Sequence, residues 1–229
     1  FADKDGTTKL RQDNPVYAAM VRSTDESLGR ILKVLDDLRV AENTVVVLTS
    51  DHGGLSNRGR TSQRPLATSY LPVRAGKGHL FVGGFRVPLI VRWTGLFNPD
   101  CTSDAVVNGT DHYATFLDLA GAEPAQGIDG ISYLAACMGE ALVRPQALFW
   151  HSPKARPQST GDLNSSALRR GAWKLIEFYD EQRLELYDLS TDPGEARNLV
   201  GAEPERAEDF LAELRAWREK VDAYVDDQR

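Results

Sequence analysis

The chain has 229 residues, 41% hydrophobic and 26% charged, ordinary proportions for a globular protein with a sizeable core. A formal net charge of −6 argues against nucleic acid or anionic membrane as a general partner, and no apolar run approaches the roughly 20 residues that span a bilayer. Two cysteines allow one disulfide or none and fix no redox compartment.

Residues 1–15 are polar and aperiodic, which predicts a loop. From Tyr17 to Arg39, Met20, Val21, Leu28, Ile31, Leu32, Leu35 and Leu38 recur at helical spacing, predicting a long amphipathic helix. Val45 to Leu48 has the look of a strand buried on both faces, and it runs out at Asp51-His52-Gly53-Gly54. The polar loop from Gly53 to Lys77 is long enough to expect a function for it. A second buried-type strand spans Pro88 to Trp93. Thr110 reads as the cap of a helix over Asp111–Ala120, ended by Gly121. Four short antiparallel strands are predicted at 147–151, 166–170, 173–178 and 184–188, then a closing helix from Glu203 to Val225. The fold class expected is α/β: part of a mixed sheet flanked by helices, then a small antiparallel sheet with a long helix.

Asp51 and His52 stand at the end of a strand, where open α/β sheets place their ligand sites. The Asp51 carboxylate suits a hard divalent cation such as Ca²⁺, against the alternative of a turn cap. His52 could ligate the same ion or act as an outer hydrogen-bond donor. Lys77, between Gly76 and Gly78, sits in a backbone that can turn tightly and aim the ammonium at a pocket; the alternative is a solvated loop lysine. Together these residues suit an anionic, oxygen-rich substrate. His79 could line the pocket or pack on the loop, and His151 could face a cleft or lie packed at the surface. Arg86 reads as a buried ion pair fixing the loop. Asp111-His112 opens a helix, where an acidic residue favours the helix dipole.

The ordered motifs T-S-D-H-G at Thr49–Gly53, G-K-G at Gly76–Gly78 and G-G-F-R-V-P at Gly83–Pro88 resemble the second half of a sulfatase of the arylsulfatase type, in the alkaline phosphatase superfamily. Flanking segments at 17–32, 147–151 and 186–199 resemble the same family, so the likeness covers roughly residues 15–220. It implies that residues 1–125 are the C-terminal part of the catalytic α/β domain and that 126–229 form a small subdomain. It also implies hydrolysis of a sulfated carbohydrate or aryl sulfate, with Ca²⁺ (or Mg²⁺) held in part by Asp51 and His52. Lys77 would bind a sulfate oxygen and stabilise the leaving oxygen, His52 would share in catalysis, and His79 and His151 would contact substrate. A periplasmic or secreted location goes with the resemblance.

The sequence departs from that pattern in two places. Val82 stands where the family commonly has Glu, so Arg86 must find another partner or reach solvent. The C/S-x-P-x-R signature of the formylglycine nucleophile is not present: Cys101 precedes Thr-Ser-Asp-Ala, Cys137 precedes Met-Gly-Glu-Ala, and Ser152-Pro153-Lys154-Ala155-Arg156 has its proline one place early. The expectation is therefore a C-terminal portion whose partner is a missing N-terminal sulfatase segment. Such a piece should aggregate or dimerise when expressed alone. A phosphonate or phosphate monoester hydrolase of the same superfamily and a non-catalytic anion-binding or interaction module remain the alternatives.

Overall fold

A computed structural model describes residues 7–123 and 126–225. The first six residues of the predicted N-terminal loop, and the immediate surroundings of the 125/126 division, lie outside the described residues. The chain forms two compact units, one from 1–22, 50–88 and 147–229 and the other from 23–49 and 89–146.

The architecture is mixed α/β. Helix α1 (Pro15–Asp37) matches the predicted amphipathic stretch, and its start is closed by the Asn14 side chain, which accepts from the amides of Val16 and Tyr17 at 3.1 Å. None of its residues is buried, and Val16, Met20, Val21, Ile31 and Val34 lie exposed along it. Strand β1 (Val46–Thr49) pairs antiparallel with β2 (Leu89–Arg92), Val47 opposite Val91. Burial of β1 on both faces is not observed: its residues are intermediate or exposed, because β2 is its sole strand neighbour among the described residues. A one-turn helix, α2 (Val82–Phe85), precedes β2.

In the second unit, α3 (Asp111–Leu119) ends at Gly121 as expected, but Thr110 makes no side-chain cap. Asp111, in the first turn, instead ties the helix start to the segments around it. Its carboxylate accepts from the Asn108 amide at 2.7 Å and the Ile131 amide at 3.0 Å, and pairs with Arg144. It stands in the first turn as expected, where it favours the helix dipole, and it is in addition a buried hub. His112 Nδ1 and the Tyr133 hydroxyl share a hydrogen bond at 2.9 Å beside it, and α4 (Leu134–Cys137) follows.

The C-terminal sheet carries the first unit. Strands β3 (Leu148–Ser152), β4 (Ser165–Arg170), β5 (Trp173–Phe178) and β6 (Arg183–Asp188) form an antiparallel meander in chain order. Alternation gives the sheet two working faces. Phe149, Leu168, Leu175 and Leu186 lie opposite one another across the strands and pack on Phe210, Leu214 and Trp217 of α5 (Pro204–Lys220). The other face, with Ala167, Ile176 and Tyr187, packs against Phe81. The sheet is thus the platform on which the 74–85 loop rests. Helix α5 stops short of the predicted end: Asp222 turns to φ 50°, and Val221 and Tyr224 lie exposed beyond it.

Candidate active site

Three loop segments of the first unit meet through their backbones. After β1 the chain turns at Asp51-His52-Gly53-Gly54, and the Gly53 amide donates to Gly84 O at 2.8 Å. A side chain at position 53 would place its Cβ 1.9 Å from Gly83 O, so only glycine lets these segments approach. The Lys77 amide donates to Gly54 O at 3.0 Å, and the Gly83 amide to Arg74 O at 2.9 Å. The D-H-G-G loop, the G-K-G loop and α2 are in this way one hydrogen-bonded frame.

Within that frame the Asp51 and His52 side chains converge, Oδ2 to Nε2, at 3.0 Å. His52 Nδ1 lies 2.9 Å from Gly53 O, a carbonyl that can only accept, so Nδ1 carries the proton. The contact is that of a hydrogen-bonded imidazole–carboxylate pair, and it sets a ring nitrogen and a carboxylate oxygen side by side where Asp51 is 80% exposed. These two side chains supply only part of a coordination shell: among the described residues no group of three His, Cys, Asp or Glu is arranged to hold a metal.

Lys77 is half-buried and presented by a backbone fixed on both sides. Gly78 adopts φ +99°, in the left-handed region that favours glycine. His79 follows, with Nε2–H donating to Thr160 O at 3.0 Å. Burial pushes its pKa below the ordinary 6.5, opposed by that hydrogen bond and by Asp162. His79 also lines a cavity of about 340 Å³, together with Ser56, Asn57, Tyr70, Arg74 and Phe81. Asp51, His52 and Lys77 lie outside that cavity's lining. The structure therefore brings Asp51, His52, Lys77 and His79 onto one frame, and of these four only His79 lines the cavity.

His151 is on β3, at the strand end, and both its ring nitrogens are engaged, Nδ1 with the Ser166 hydroxyl at 2.7 Å and Nε2 with Tyr224 O. Arg86 is not the buried ion pair expected from sequence. It is exposed, and no described carboxylate meets it. With Val82 lacking a carboxylate, its guanidinium reaches solvent instead.

Several supporting residues had no sequence signal. Arg74 lies 3.7 Å over the Phe81 ring and donates to the Tyr187 hydroxyl at 3.0 Å, tying the lysine loop to the sheet. Glu195 accepts from the Val82 amide at 2.6 Å on one oxygen and from Lys174 Nζ at 2.6 Å on the other. The turn that carries Glu195 holds the Gly-Gly turn through that bond to the Val82 amide.

Comparison with known proteins agrees with this geometry. The sulfatase family profile matches residues 1–122, and the profile for the C-terminal region of N-sulphoglucosamine sulphohydrolase matches 76–221. A sulfatase of Formosa agariphila is 34% identical over 90% of this chain and 40% of its own length. Arylsulfatase K of Mus musculus is 30% identical over 86% of this chain and 34% of its own. The solved structure of Ps i-CgsB in complex with k-i-k-neocarrahexaose superposes with a TM-score of 0.71 at 25% identity, covering 91% of this chain and 44% of that one. The chain thus spans about two-fifths or less of the length of these relatives. With two overlapping profiles across most of its length and the three signature loops joined in one frame, the chain belongs to the sulfatase family, in the alkaline phosphatase superfamily.

Proposed function

We propose that this chain supplies the metal-loop and lysine-loop half of a sulfuric ester hydrolase acting on a sulfated carbohydrate. The observation that carries the reading is the joint between the two loops, where the Lys77 amide donates to Gly54 O at 3.0 Å beside the paired Asp51 and His52 side chains. Bound there, Ca²⁺ or Mg²⁺ would neutralise sulfate oxygens, and a formylglycine outside these residues would supply the nucleophilic oxygen. Asp51 and His52 would hold part of the ion's shell. Lys77 binds a sulfate oxygen and stabilises the negative charge that grows on the departing alcohol oxygen. His79 lines the cavity and offers its Nδ1 there, while His151, with both ring nitrogens engaged, would meet substrate only through its ring.

The carbohydrate is favoured by a relative 29% identical over 84% of this chain, named N-acetylglucosamine-6-O-sulfatase, from Bacteroides thetaiotaomicron. The nucleophile belongs to a sulfatase segment preceding these residues, with 1–125 completing its catalytic domain and 126–229 its small subdomain. A periplasmic or secreted setting fits an enzyme of extracellular glycans.

The test is sulfate release from a sulfated monosaccharide by the enzyme that contains this chain and its nucleophile. Lys77→Ala should lower kcat by about 10²–10³, the effect of losing one donor to a developing oxyanion. Asp51→Asn should abolish calcium binding in calorimetry. Unchanged kcat in the first variant, or unchanged calcium affinity in the second, overturns the assignment.

A further inference from the structure

One stretch of this acidic chain carries cations with no acid among them in sequence. From His52 to Pro99 the sequence has seven arginines and lysines and no Asp or Glu. Three of these cations, Arg58, Arg60 and Arg64, fall in the loop ahead of the lysine loop. The Ser62 amide donates to Gly59 O at 3.0 Å, which turns the chain between Arg58 and Arg64, and Arg60 and Arg64 are exposed on that turn. Among the described residues, neither meets a carboxylate.

A strap from the C-terminal region locks this turn to the lysine loop. The Gly59 amide donates to Ser159 O at 2.9 Å, the Thr61 hydroxyl bonds the Gln158 side chain, and His79 Nε2 donates to Thr160 O at 3.0 Å. Arg156 begins the strap. Its Nε donates to Asp162 Oδ2 at 3.1 Å, and a Cβ built on Gly78 would lie 3.1 Å from its Nη2. Asp162 is 1% exposed while Arg156 is 49% exposed, so a buried carboxylate anchors one edge of a guanidinium that keeps open surface next to Lys77. The carboxylate that pairs with Arg156 is itself buried, so it adds no negative charge to the surface the arginine presents. Guanidinium groups present several donors in a plane and suit tetrahedral oxyanions.

We propose that Arg60, Arg64 and Arg156 form a second anion subsite flanking the lysine loop, which takes further sulfate groups of a polysulfated glycan beyond the one hydrolysed. The glycan identity rests on the hydrolase reading above; the anion-binding surface rests on the strap and the arginine turn.

The probe is dextran sulfate, titrated into this chain at several salt concentrations, with polyglutamate as the polyanion control. Removing two charges in Arg60→Ser/Arg64→Ser should weaken binding about tenfold at low salt and flatten the salt slope by between about one and two. Arg156→Ser should weaken it further. Near-UV circular dichroism checks that each variant keeps its fold. Equal binding by wild type and variants, or polyglutamate bound as tightly as dextran sulfate, overturns the proposal. In the complete enzyme, the specificity constant for a polysulfated oligosaccharide relative to a monosulfated aryl ester should fall in the same variants. If the wild-type enzyme releases no sulfate yet the chain still binds dextran sulfate through these arginines, the hydrolase reading fails and the anion surface stands.

Discussion

The Lys174 ammonium and the Glu195 carboxylate lie 2.6 Å apart, and neither side chain has any exposed surface. Burial pushes the lysine pKa down to about 8, with Glu195 pulling the other way. Because the second Glu195 oxygen takes the Val82 amide, this pair fixes the turn on which the metal and lysine loops hang.

Removing one partner strands the other. Lys174→Met should therefore cost about 3–5 kcal/mol, read as a lower midpoint in urea unfolding. Adding Glu195→Leu should recover part of this by deleting the stranded charge. Recovery stays incomplete because the Val82 amide then loses its acceptor, a penalty of about 1–3 kcal/mol. A single variant as stable as wild type would show that the pair does not support the turn.

Gly78→Ala combines two penalties. The backbone sits at φ +99°, and the new Cβ would meet Asp162 Oδ1 at 2.7 Å. A loss of about 2 kcal/mol or more is expected from the backbone alone. Thermal unfolding measures it, and a neutral result would mean that the lysine loop relaxes away from the strap.

The buried imidazole of His79 gives stability a pH dependence. Its folded pKa lies below the ordinary 6.5, so near and below that value the unfolded chain binds more protons than the folded one. Its contribution is present above pH 6.5 and is lost as pH falls through the folded value. Wild type should therefore lose melting temperature between pH 7.5 and 5.5 more steeply than His79→Asn. Parallel curves would assign the loss to other groups.

The apolar stripe of α1 leads to the fourth expectation. With Met20 and Ile31 61% and 55% exposed, the isolated chain should self-associate as concentration rises. Met20→Lys/Ile31→Lys should shift sedimentation toward monomer. A wild-type chain that is monodisperse at high concentration contradicts the expectation.

Periodicity made most of the fold legible. Helix α1, the four-stranded meander and the start of α5 follow directly from the spacing of their apolar residues. The errors came where one residue's partner is distant in sequence. Thr110 looked like a cap because Arg144 and Ile131, which turn Asp111 into a buried hub, are invisible to local reading. The strand at Val46 was read as buried because a run of Val and Leu does not reveal how many neighbours it has. At the site, glycines and charged residues announced the loops, so Asp51, His52 and Lys77 were accessible from motif spacing. Arg74, Lys174 and Glu195 were not, since each acts across the sheet on a segment with no sequence relationship to it.

The joints of the site are made by main-chain atoms: Gly53 to Gly84, Lys77 to Gly54, Gly83 to Arg74. None of these bonds uses the side chain at positions 51, 52, 77 or 82. Spacing and reactivity are therefore separately heritable. A substitution such as His52→Asn or Val82→Glu can retune what is bound while the loops keep their places, whereas a change at Gly53 or Gly78 disturbs every group at once.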